Sequence, residues 1–175
     1  IQPHCPWYNM YEKFGPANVK WCEERICALI NEPLNTWSNV PFMLVGLYIF
    51  FLGFKHADRF KKIFGTAVFL MGFGSFFYHA SNNYLTQIFD FLGMYLYVYL
   101  LVCLSLLNLK KITVKSSLYL YSGLVVFSVL LIPLARHYNL PYQMIILLIN
   151  IPVFGLQLSL KKKMGNEYPT KYLFL

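Results

Sequence analysis

Residues 60–79 read FKKIFGTAVFLMGFGSFFYH, and residues 85–109 read LTQIFDFLGMYLYVYLLVCLSLLNL. Each run is long and apolar enough to cross a bilayer as a helix, because about 20 residues at 1.5 Å per residue span the hydrocarbon core. Their polar residues gather at facing ends. Ser75 and His79 close the first run, and Asp90 stands early in the second, eleven residues after His79. Ser75 and His79 are four apart and share a face of a helix. An aspartate in a spanning helix costs roughly 2.5–3.5 kcal/mol at the centre and less toward an end. A hydroxyl, an imidazole and a carboxylate kept at such positions point to a metal or proton-transfer site.

Working outward, the same pattern repeats. Further apolar segments run over residues 36–54, 117–135 and 141–160. Asn35 or Thr36 suits a helix cap, Pro141 suits a helix start, and Pro152 predicts a kink. A sixth apolar segment starts at Tyr172, three residues before the last, and the first residue is Ile, so both ends read as cut. The expected fold is all-α: a polytopic membrane helix bundle with a polar N-terminal segment, 1–34, and a transmembrane domain, 35–175. The composition agrees. The chain is 58% hydrophobic and only 13% charged, about half the charge of a soluble domain. The net charge of +8 sits in short runs between spans, which excludes a nucleic-acid groove and reads as topology.

Lys13, Lys20, Arg25 and Arg136 fall on the side of the N-terminal segment. The other eleven basic residues, from Lys55 to Lys171, fall on the opposite side. Basic residues accumulate in the cytoplasm, so the N-terminal segment is expected outside, with His79 and Asp90 near that face. Cys5, Cys22 and Cys27 lie in this segment, where an oxidising compartment permits a disulfide of undetermined pairing. Cys103, in the third span, reads as a buried thiol.

In this setting His79 can ligate zinc, Asp90 can take a proton from water or orient His79, and Ser75 can hold the water or an oxyanion. Each residue alone also has a plainer reading: Ser75 as helix packing, His79 as an interfacial residue, Asp90 as a cap or ion-pair partner. Their coincidence on two adjacent helices favours the site. His4, His56 and His137 lack ligand spacing. Glu23, Glu24 and Glu32 form a second cluster, able to hold calcium or to pair with Lys20 and Arg25. Phe76, Phe77, Tyr78, Tyr95 and Tyr97 could line an acyl-chain cavity or face lipid.

The ordered motifs carry a resemblance. Trp21-Cys22-Glu23, then Glu32-Pro33-Leu34-Asn35-Thr36-Trp37-Ser38-Asn39, then Gly72 to His79, then Asp90, resemble the alkaline ceramidase family. That family is grouped with adiponectin-type receptors and Per1-like proteins as seven-helix hydrolases. The match is close from Trp21 to about Met94. The resemblance implies that His79 binds zinc, that Ser75 and Asp90 hold the attacking water, and that an H-x-x-x-H pair on a seventh helix completes the zinc site; this chain contains no such pair. It implies calcium-binding roles for Glu23 and Glu32. Lys20 and Arg25 stand where the family has calcium ligands, which leads to a different expectation: Arg25 pairs with Glu23 and Glu32 in place of calcium. The implied activity is zinc-dependent hydrolysis of the amide bond of ceramide-like membrane lipids. A non-catalytic lipid binder or receptor on the same fold is the alternative, and a transporter is a weaker one. Amide against ester, acyl length, headgroup and oligomeric state stay open.

Overall fold

The computed structural model describes residues 2–138, 140, 151–152, 154–156 and 158–163. The named helices are α1 (Tyr8–Phe14), α2 (Pro33–Trp37), α3 (Val40–Lys55), α4 (Arg59–Ser81), α5 (Tyr84–Asn108) and α6 (Val114–His137). There is no strand among the described residues; the one β-bridge joins Pro16 to Asn83. Among the described residues, four helical segments are long and apolar enough to cross a membrane: Pro33–Lys55, Arg59–Ser81, Tyr84–Asn108 and Val114–His137. The chain is a multi-pass helical membrane protein. Most of the span expected over 141–160, with its start at Pro141, and the segment starting at Tyr172 lie outside the described residues.

Short connections make successive spans antiparallel neighbours, and α4 packs against both α3 and α5 while α5 packs on α6. Local chemistry sets each boundary. Asp58 caps α4 by accepting from the Phe60 and Lys61 amides, and Thr113 caps α6 by accepting from Ser116. The tightest junction is Asn82-Asn83. Asn82 ends α4 in the left-handed region at φ 50°, a conformation asparagine tolerates. Asn83 opens α5 with a capping box to Thr86. Two residues therefore turn the chain, and His79 and Asp90 both end up within about two helical turns of it.

The first span begins differently from the expectation. Asn35 and Thr36 lie inside α2, and Asn39 is the residue preceding α3. Neither Glu32 nor Asn39 caps with its own side chain; Glu23 accepts from the Leu34 and Asn35 amides at 2.8 Å each. A distant carboxylate thus satisfies the helix start, so the local cap was not required.

Close helix approach depends on glycine. A β-carbon on Gly74 would lie 2.6 Å from the Phe89 carbonyl oxygen, so α4 and α5 meet backbone to backbone beside Ser75 and Asp90. Away from this contact, Phe91, Tyr95, Tyr99, Ile132 and Ala135 fill the space between α5 and α6, with Val19 of the N-terminal segment among them.

Candidate functional site

The N-terminal segment lies across the ends of α4 and α5. Tyr84 N donates to Gly15 O at 3.1 Å, Asn18 N to Gln87 Oε1 at 2.8 Å, and the Tyr78 hydroxyl to Val19 O at 3.0 Å. Asn31 N and Glu32 N then donate to Ala80 O and His79 O. A disulfide joins Cys5 to Cys27, which resolves the pairing that spacing left open. Cys22 is free and exposed, and Cys103 is free and buried. His4 lies near the two disulfide sulfurs, which are already bonded to one another.

These backbone bonds deliver Glu32 to His79. Glu32 is fully buried, and its Oε2 sits 2.6 Å from His79 Nδ1. Asn35 Nδ2 donates to the same oxygen at 3.1 Å. Asn82 Nδ2 donates to Oε1, and Arg25 Nε forms an ion pair with Oε1 at 3.4 Å. Burial pushes the Glu32 carboxyl up. The hydrogen bonds from His79 and Asn35 and the charge of Arg25 outweigh it and hold the carboxyl below its ordinary value. Trp21 lies against the imidazole, with ring centroids 5.8 Å apart.

Across the α4–α5 contact, Asp90 is 4% exposed, and its carboxyl interacts with the Ser75 hydroxyl and with His79. The structure therefore brings Ser75, His79, Asp90 and Glu32 together at one end of the bundle. Sequence reasoning missed the Glu32–His79 pair and the part played by Asn82. The Ser81-Asn82-Asn83 run after an apolar segment was an available signal for the turn; no local pattern announces Glu32, 47 residues from His79.

The donor set can be tested against each metal. His79 spends Nδ1 on a carboxylate and makes no hydrogen bond through Nε2 among the described residues, the arrangement of a metal-ligating histidine. It fits zinc as one ligand. The calcium reading fits poorly. Calcium takes six to eight oxygens at 2.3–2.6 Å, whereas nitrogen partners surround both Glu32 oxygens and backbone amides occupy both Glu23 oxygens. The pairing expected for Arg25 needs correction in one half: it joins Glu32, while Glu23 turns instead to the N-terminus of α2. Lys20 is exposed and makes no ion pair among the described residues.

Of the five aromatic residues considered for an acyl cavity, Tyr97 lines an apolar cavity of about 280 Å³ with Phe42, Ile49, Phe64 and Val68. Tyr78 and Tyr95 are buried in packing, Phe76 meets Trp37, and Phe77 is exposed.

Fold and site together define a multi-pass membrane protein with a buried polar centre at one end of its helices. Residues 15–169 match the Ceramidase family model, and the chain belongs to that family. Membership makes it a ceramide-hydrolysing membrane protein, an amidohydrolase with a lipid substrate, in a family that is generally metal-dependent. No curated protein and no solved structure matches the chain.

Proposed function

We propose that this protein is a zinc-dependent intramembrane hydrolase that cleaves the amide bond of ceramide-like lipids with His79, Asp90 and Ser75. The observation that carries the reading is the meeting of buried His79 and Asp90 with half-buried Ser75 where α4 and α5 touch. Zinc, when bound, supplies a Lewis acid that activates water near neutral pH. His79 would hold the metal through Nε2, with Nδ1 kept by Glu32. The Asp90 carboxylate takes the proton of the attacking water. The water oxygen bonds to the amide carbon, the C–N bond breaks, and Asp90 returns the proton to the leaving nitrogen. The products are a fatty acid and a free amine. Ser75, beside Asp90, donates its single O–H to the carboxylate and orients it, or turns it to the water or the developing oxyanion in exchange.

The test is turnover of ceramide by the purified protein in detergent. Asp90→Asn removes the proton acceptor while keeping the shape, so kcat should fall by roughly 10²–10⁴-fold with the fold intact. Undiminished turnover would overturn the assignment.

The N-terminal segment is proposed to be extracytoplasmic, with the site opening toward that side. The charge asymmetry across the spans and the Cys5–Cys27 disulfide both support this. Cys22 provides the test. A membrane-impermeant thiol reagent should label it in intact cells and fail to label Cys22→Ser. Labelling once the plasma membrane alone is opened, with internal membranes sealed, would place the segment in the cytoplasm.

A further inference from the structure

We propose that Glu32 is the positioning residue for His79, and that Arg25 is the built-in cation that anchors it. The inference rests on the reading of His79 as a metal ligand.

The geometry is specific. A carboxylate oxygen 2.6 Å from Nδ1 takes the hydrogen bond of a protonated Nδ1 and leaves the Nε2 lone pair free. Among the described residues, nothing else hydrogen-bonds the imidazole. Glu32 can act this way only if its own position is determined. Its backbone N–H donates to His79 O at 3.2 Å, so the carboxylate is tied at both ends to the residue it orients. Its two oxygens are divided between partners. Oε2 serves His79 and Asn35, and Oε1 serves Asn82 and Arg25. Asn82 is itself held in the left-handed turn between α4 and α5, so one carboxylate joins the outer segment, the turn and the imidazole.

Arg25 supplies the positive charge. The Glu32 side chain is fully buried, and a buried carboxylate needs a counter-charge as well as hydrogen-bond donors. Arg25 lies in the loop closed by the Cys5–Cys27 disulfide, two residues before Cys27, and its side chain is 28% exposed. The outer segment thus delivers a covalently attached cation to the back of the site. A guanidinium offers several N–H donors in a fixed plane, which lysine does not reproduce. The arrangement uses no divalent ion at this position.

The test is ¹⁵N-histidine NMR of the zinc-free protein in detergent, at a pH above the ordinary imidazole value of about 6.5. The His79 signal is assigned by its loss in His79→Gln. In the unsubstituted protein His79 should be the Nδ1–H tautomer. Finding Nε2–H there would overturn the proposal without recourse to any variant. Glu32→Ala should shift His79 toward Nε2–H and weaken zinc affinity by about 10–100-fold, the usual effect of losing a ligand's supporting partner. A folded Glu32→Ala protein with unchanged tautomer and zinc affinity would contradict it. Arg25→Ala should weaken zinc affinity less than Glu32→Ala, with Arg25→Lys restoring only part. Wild-type affinity in Arg25→Ala, or loss of the wild-type tautomer on calcium chelation, would remove Arg25 from the account. The tautomer is read without zinc, so it stands or falls separately from the hydrolytic role of His79.

Discussion

At the end of the bundle that carries the N-terminal segment, Asn31, Glu32, Thr36, His79, Ser81, Asn82, Asn83, Thr86, Gln87 and Asp90 are all buried. Farther along the same helices, the buried polar side chains among the described residues reduce to Ser105, Ser117 and Ser128. The two regions satisfy their polar groups differently. Ser105 returns its hydroxyl to Leu101 O one turn back, and Ser128 meets Tyr99 on the facing helix. These are local or pairwise bonds, sufficient to pack helices in lipid. The site end instead forms a connected network. Glu32 alone joins residues from four parts of the chain: Arg25, Asn35, His79 and Asn82. Both Glu32 oxygens are paired, so the group that holds the imidazole is satisfied, whereas Thr36 Oγ1, Asn82 Oδ1, Asn83 Nδ2 and Gln87 Nε2 around it are buried with no hydrogen-bond partner among the described residues. The difference teaches that polarity in this bundle is concentrated where geometry has to be exact enough for chemistry.

Equivalent small substitutions should separate the two regions. Gly74→Ala should have the largest effect, because its β-carbon would meet the Phe89 carbonyl oxygen at 2.6 Å. Forcing α4 from α5 should cost about 1–3 kcal/mol in thermal unfolding and lower turnover, since Ser75 and Asp90 flank the contact. Ser128→Ala should cost about 0.6 kcal/mol, a typical interhelical hydrogen bond in a membrane, and leave turnover unchanged. Gly123→Ala should stay within about 0.5 kcal/mol, because nothing lies within 4 Å of its β-carbon position. Equal losses at Gly74 and Gly123 would break the comparison.

What could be read in the sequence followed from periodicity and length. The apolar runs place α3 to α6, and the i, i+4 spacing of Ser75 and His79 with Asp90 across a short turn anticipates their meeting. What could not be read depends on how the N-terminal segment folds back. The Cys5–Cys27 pairing, the short α2 and the Glu32–His79 contact are set by non-periodic backbone bonds, such as those from Asn31 to Ala80 and from Tyr84 to Gly15. Residue types made Glu23 and Glu32 look alike. The structure separates them, one serving a helix start and the other an imidazole.

The central claim is that the polar end exists to present His79 to a metal. It is tested most directly by zinc content, measured side by side in the purified wild-type, Asp90→Asn and His79→Ala proteins. Zinc should be retained in Asp90→Asn, whose turnover is lost, and should be lost in His79→Ala along with turnover. Full zinc occupancy in a folded His79→Ala protein would contradict the account.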